Sequence, residues 1–191
     1  MSPVVALAAV SGMLTWSLLE YCIHRWLGHG PRAASNLFGT EHTRHHAIGD
    51  YFAPTWKKAV TTAVTTLALG TPAVALGGWE VGGAWALGLV GFYVFYEVLH
   101  RLEHVFEGVG PYGRWARRHH FHHHFHDPRV NHGVTSPLWD LVFRTYARPG
   151  RIRVPERLAM RWLLDPATGE VRSHLSVWYE TRRRRPGLTP S

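Results

Sequence analysis

The chain is nearly devoid of cysteine. Cys22 is the single one in 191 residues, which excludes an internal disulfide, a cysteine-type zinc site and an iron–sulfur cluster. Lys and Arg are missing from two long stretches, before Arg25 and between Lys58 and Arg101. A net charge of +8 would otherwise suit nucleic-acid binding. Its confinement to a few segments argues against that, and no nucleic-acid partner is expected. The amino-terminal apolar run lacks the basic start and A-x-A-like site of a signal peptide and leads directly into His24. It reads as a retained span.

What is present are long uncharged runs. Residues 3–19 carry no charge, and the run continues through Ile23 with only Glu20 interrupting. Residues 59–79 and 81–96 are also uncharged, separated by Glu80 inside G-G-W-E-V-G-G. Crossing the hydrocarbon core takes about 20 apolar residues. The pattern predicts an all-α integral membrane protein: a first span, then a helical hairpin, making about three transmembrane helices beneath a cytosolic helical cap. Arg25, Arg32, Arg44, Lys57, Lys58 and everything from Arg101 onward flank one side. By the positive-inside rule the amino terminus is outside, and the active site and carboxyl terminus are cytosolic. Short helices are expected at 41–47, 112–125 and 137–143, and an amphipathic one at 155–164. The chain divides into a membrane and histidine-bearing core at 1–150 and a cytosolic extension at 151–191. That extension ends in a basic run, 182–185, suited to anionic lipid.

Histidine carries the chemistry. Eight of fifteen fall between Val98 and Asp127. The run there is internal, interrupted by Phe121 and Phe125 and matched upstream, so it does not read as a purification tag. Four groups stand out: His24 with His29, His42 with His45 and His46, His100 with His104, and His120 with His123 and His124. Offsets of three and four residues put imidazoles on one helical face. The i, i+5 pair His24/His29 does so only if the helix breaks near Gly28. Neutral imidazole is the commonest protein ligand for iron, zinc and copper. Ten exceed the needs of one ion and suit two, so a His-rich dimetal site is expected. His119, His122, His126, His132 and His174 are not expected as ligands. Glu20 and Glu97 are either acceptors that orient His24 and His100 or plain charges at the span ends. His100-Arg-Leu-Glu103-His104 also matches the inverted zinc-peptidase signature H-x-x-E-H, which would make Glu103 a general base. That reading leaves eight histidines without a role.

Taken together, E-Y-C-I-H-R-W-L-G-H, H-T-R-H-H with Asp50 and Pro54, Y-E-V-L-H-R-L-E-H, H-F-H-H-H, and Asn131, Gly133 and W-D-L-V-F-R-T resemble the fatty acid hydroxylase / sterol desaturase superfamily. The likeness runs from Glu20 to about Thr145. The H-x-x-x-x-H first box and H-x-x-x-H third box are similar to the fatty acid 2-hydroxylase branch. Carotenoid ring hydroxylases typically have four residues within the third pair, and sterol-type enzymes are a further alternative. The family pattern has two spans before the first box where this chain has one, and His132 stands where an aromatic is usual. The resemblance implies two irons held by the ten histidines, with zinc as a possible substitute in purified protein. It implies O2 as co-substrate and oxidation of an unactivated C–H bond of a lipid, most naturally a fatty acid or acyl chain. Without a cytochrome b5-like domain in the sequence, electrons are expected from a separate cytochrome b5-like or ferredoxin-like donor.

Overall fold

Ser2 starts the first helix. In this computed structural model, which describes residues 2–182, its hydroxyl accepts the Val5 N–H at 3.3 Å and Pro3 occupies the first turn, a favoured helix start. Helix α1 (Pro3–Cys22) continues as a single π-helical turn, Ile23–Gly28. Helix α2 (Leu37–Ala47) is capped by Asn36, whose side-chain oxygen accepts the Gly39 N–H at 2.8 Å. Helix α3 (Thr55–Val105) is two helical arms joined at Gly78, which has φ 71° and ψ 176°. That backbone region is open essentially only to glycine, so the hairpin turns within the expected G-G-W-E-V-G-G. The second arm runs past Tyr96 to Val105, and it therefore has the length that residues 81–96 alone left short.

Small residues let the long helices touch backbone to backbone. A Cβ added at Gly12 would lie 2.0 Å from the Trp85 carbonyl oxygen, and one at Gly88 would lie 2.0 Å from that of Ala9. Trp16 meets Tyr93 edge-on at 4.7 Å. Ala9 beside Gly88, Gly12 beside Leu89 and Trp16 beside Tyr93 advance together along both helices, so α1 and the second arm of α3 run parallel. Ser2 and the Gly78 turn therefore share one end of the bundle, and His24, His100 and His104 share the other. Both helices are long and apolar enough to cross a membrane by length and composition. Their outward side chains are uncovered, with Leu76 91% and Leu87 75% exposed. A helix buried in a soluble core would hide them, whereas a bilayer solvates them.

Helix α4 (Gly110–Phe125) and the short α5 (Leu138–Val142) follow. The chain is mostly helical, as expected, but not wholly so, because strand β1 (Ile152–Pro155) pairs in parallel with β2 (Tyr179–Arg182), Ile152 lying opposite Tyr179. The expected amphipathic helix at 155–164 is also absent. The chain there forms the end of β1, a 3-10 turn at Glu156–Leu158 and turns beyond it. Its apolar residues fold inward instead of facing a membrane surface. Met160, Trp162 and Leu163 join Ile152, Val154, Leu175 and Tyr179 in a core built on Phe121. Trp162 Nε1 also donates to the His104 carbonyl at 2.8 Å, satisfying one of the open carbonyls at the end of α3. Of the expected basic run at 182–185, all but Arg182 lies outside the described residues.

Candidate metal centre

All ten histidines singled out by spacing meet in two clusters of five. One holds His24, His29, His42, His46 and His123, the other His45, His100, His104, His120 and His124. Within each cluster, one nitrogen from every ring lies within 4.8 Å of the others. The split follows from helix geometry. At 3.6 residues per turn, i and i+4 diverge by about 40° while i+3 falls about 60° to the other side. On α2, His42 and His46 therefore enter the first cluster and His45 crosses to the second. On α4, His120 and His124 enter the second and His123 crosses to the first. Helix α3 supplies His100 and His104 to the second. The π-helical turn solves the awkward i, i+5 pair: a wider turn brings His29 back beneath His24, with ring centroids 5.3 Å apart.

Backbone carbonyls set the ring orientations. His24 Nδ1 lies 2.5 Å from the His132 oxygen, His45 Nδ1 2.6 Å from that of Tyr51, and His123 Nδ1 2.8 Å from that of Val130. A carbonyl only accepts, so each Nδ1 carries the proton and each Nε2 presents a lone pair. Those lone pairs converge. His29 Nε2 sits 2.8 Å from both His42 Nε2 and His123 Nε2, and His45 Nε2 sits 3.0 Å from His100 Nε2. His24 Nε2 and both nitrogens of His124 are buried without a hydrogen-bond partner. Buried acceptors facing one another are costly unless a shared cation satisfies them, and the donor set fits two metal ions of the imidazole-binding class.

Charge state points the same way. Burial holds His29 and His45 down at about 4 and His46 at about 2. Burial, reinforced by neighbouring imidazoles, keeps His42, His120, His123 and His124 well below their ordinary value. At neutral pH these rings are uncharged, the form a metal requires.

The profile of the family described as "Fatty acid hydroxylase" matches residues 9–145. The chain belongs to the fatty acid hydroxylase family. It is similar to the dihydroceramide fatty acyl 2-hydroxylase FAH2 of Arabidopsis thaliana, 33% identical over 156 residues that cover 75% of this chain and 62% of that protein. It is also similar to the fatty acid 2-hydroxylase of Rattus norvegicus, 32% identical over 143 residues covering 71% and 38% respectively. A solved structure, "Full length scs7p (only hydroxylase domain visible)", superposes with a TM-score of 0.58 at 25% identity, covering 78% of this chain and 58% of that one. The chain thus spans less than two thirds of the curated relatives it matches.

The acidic residues and remaining histidines of this hydroxylase-family site fall as follows. Neither Glu20 nor Glu97 orients a histidine. Glu20 accepts from Val134 N at 2.6 Å, Thr135 N at 3.2 Å and the Thr135 hydroxyl at 2.9 Å, and Glu97 pairs with Lys58. The orienting groups are the three carbonyls, which residue identity alone could not reveal. His119, His122, His126, His132 and His174 stay outside both clusters, although the His132 main chain serves His24. Glu103 is fully buried, and neither carboxylate oxygen has a hydrogen-bond partner. It is in neither cluster.

Proposed function

We propose that this chain is a membrane di-iron hydroxylase acting on a lipid, most naturally a fatty acid or fatty acyl chain, with O2 and electrons from a separate cytochrome b5-like or ferredoxin-like protein. The observation that carries the reading is the convergence of ten neutral imidazoles into two buried five-membered clusters at one end of an apolar bundle. Iron bound there would supply O2-dependent C–H oxidation, which no amino-acid side chain can perform. The protein's own work is orientation and exclusion. The carbonyls of Tyr51, Val130 and His132 fix three rings with Nε2 inward, and burial keeps bulk water from the clusters. The two curated relatives described above are 2-hydroxylases of fatty acyl substrates by name, which favours an acyl chain over a carotenoid or sterol.

The orientation is part of the proposal: three spans, the amino terminus and the Gly78 turn outside, the clusters and the carboxyl terminus cytosolic. Parallel packing of α1 on the second arm of α3 supports it, since the end bearing the clusters is also the end bearing Arg25, Lys57, Lys58 and Arg101. The peptidase reading is disfavoured because Glu103 belongs to neither cluster. Lipid analysis of expressing cells tests the proposal. Residues of one catalytic unit are strongly non-additive, so His45→Ala and His123→Ala should each eliminate the hydroxylated lipid while the protein still inserts. Glu103→Gln and His126→Ala should retain it. Loss of activity in Glu103→Gln with activity kept in His123→Ala would overturn the reading.

A further inference from the structure

Asp140, in the W-D-L-V-F-R-T segment, touches no cluster histidine, yet it is fully buried and saturated with donors. Its Oδ1 accepts from His132 N at 2.9 Å and the Thr145 hydroxyl at 2.7 Å. Its Oδ2 accepts from Gly133 N at 2.9 Å and His119 Nε2 at 3.1 Å. Burial pushes this carboxyl up, but the surrounding donors outweigh it and hold it below the usual range. Gly133 is required for the approach, since a Cβ there would lie 2.1 Å from the Ser136 carbonyl oxygen and 3.1 Å from Asp140 Oδ2. The relay extends to Tyr21 at the end of α1, whose hydroxyl lies 2.9 Å from that of Thr145 and accepts from Arg25 of the π-helical turn at 2.8 Å.

The segment so gripped is the one that orients His24 and His123. His132 gives its N–H to Asp140 and its carbonyl to His24. Val130 gives its carbonyl to His123, and between them Asn131 is held at φ 56° by Thr145 and Ala147, its N–H donating at 2.8 Å and its Oδ1 accepting at 2.7 Å. Both oriented rings belong to the same cluster. The other cluster's carbonyl, Tyr51, comes from the α2–α3 loop, where Tyr51 hydrogen-bonds with His45, Glu41 and Ile48.

Resting on the metal reading above, we infer that Asp140 is a positioning residue for one of the two ions only. It fixes residues 130–133 so that the His24/His29/His42/His46/His123 cluster is preorganised, and it leaves the His45/His100/His104/His120/His124 cluster untouched. In Asp140→Asn the amide can still accept at one atom, but in either flip its NH2 faces a backbone N–H, that of Gly133 or that of His132, and the loop must shift. Loss of a group that orients a metal-binding histidine typically weakens affinity about 10–100-fold.

The test is a metal titration of the purified full-length chain, stripped and then given cobalt(II), read by metal content and by the cobalt absorption spectrum. Wild type should take two ions, and fewer would fail the metal reading itself. Asp140→Asn should keep one ion at wild-type affinity and bind the other about 10–100-fold more weakly. Adding His123→Ala, which removes a donor of that same cluster, should weaken the affected ion further and spare the other, whereas adding His45→Ala should compromise the second ion too. Equal weakening of both ions, or of neither, would overturn the inference. Should Asp140→Asn not fold, Thr145→Val removes a single donor and must show the same one-sided loss, with equal loss at both clusters overturning it.

Discussion

Replacing Glu20 separates two roles that a carboxylate at a span end can have. In the structure it gathers three donors from the 134–135 segment at 2.6, 3.2 and 2.9 Å and is only 4% exposed. Glu20→Ala strands all three. Buried donors without partners cost about 1–3 kcal/mol each, and water entering the vacated space recovers part of that, leaving a net loss of about 3 kcal/mol. At roughly 2–4 °C per kcal/mol for a chain of this size, the melting temperature should fall about 6–12 °C. Glu20→Gln keeps an acceptor for the two backbone N–H groups, and the Thr135 hydroxyl can rotate to accept from the amide. Its loss should stay near 1 kcal/mol, about one net hydrogen bond. Thermal unfolding of detergent-purified variants, followed by size-exclusion recovery, measures both. If alanine were harmless, the carboxylate would be a plain surface charge; if glutamine were as damaging as alanine, charge and not hydrogen bonding would be its role. Either result refutes the account.

Gly88→Leu should disrupt the bundle, because even a Cβ meets the Ala9 carbonyl oxygen at 2.0 Å; overpacking costs about 1–3 kcal/mol or more, and detergent-solubilised monomer should be depleted, while Gly91→Leu, with open space at its Cβ, should behave as wild type. The metal-stripped protein should lose stability as pH falls from the ordinary histidine value of 6.5 toward about 4, where His45 titrates in the fold. Between those values the unfolded chain binds the extra proton, so stability is complete above 6.5 and declines below it, by on the order of 3 kcal/mol for this residue at about 1.4 kcal/mol per pH unit. Denaturant unfolding across that range checks the sign, and a flat profile would contradict it. A reporter placed at Gly83 should be external and one after Ser191 cytosolic, and the reverse would overturn the orientation.

The parts of the fold legible in sequence were those fixed by composition and period. The uncharged runs and the glycine cluster around Glu80 marked two long helices and the hairpin, and the i, i+3, i+4 offsets marked the histidines that converge. What sequence could not show depends on the main chain. His24 and His123 are held by carbonyls of His132 and Val130, and every residue has a carbonyl, so nothing in those names signals the role. The π-helical turn that reunites His24 with His29 is likewise a backbone adjustment with no residue signature beyond Gly28. Residues 155–164 misled because Arg157 and Arg161 among Leu158, Trp162 and Leu163 have helical spacing. Tertiary burial of Trp162 and Leu163 against Phe121 overrode it, and two four-residue strands are too short to announce themselves.

The most direct test of the central claim is isotopic. Membranes containing the chain, an acyl lipid and a reductant should be incubated under oxygen-18 gas, and the lipid product analysed by mass spectrometry. The account predicts one labelled oxygen atom in each hydroxylated acyl chain and none when the label is in water instead. Label arriving from water, or hydroxylated lipid formed without oxygen, would contradict it.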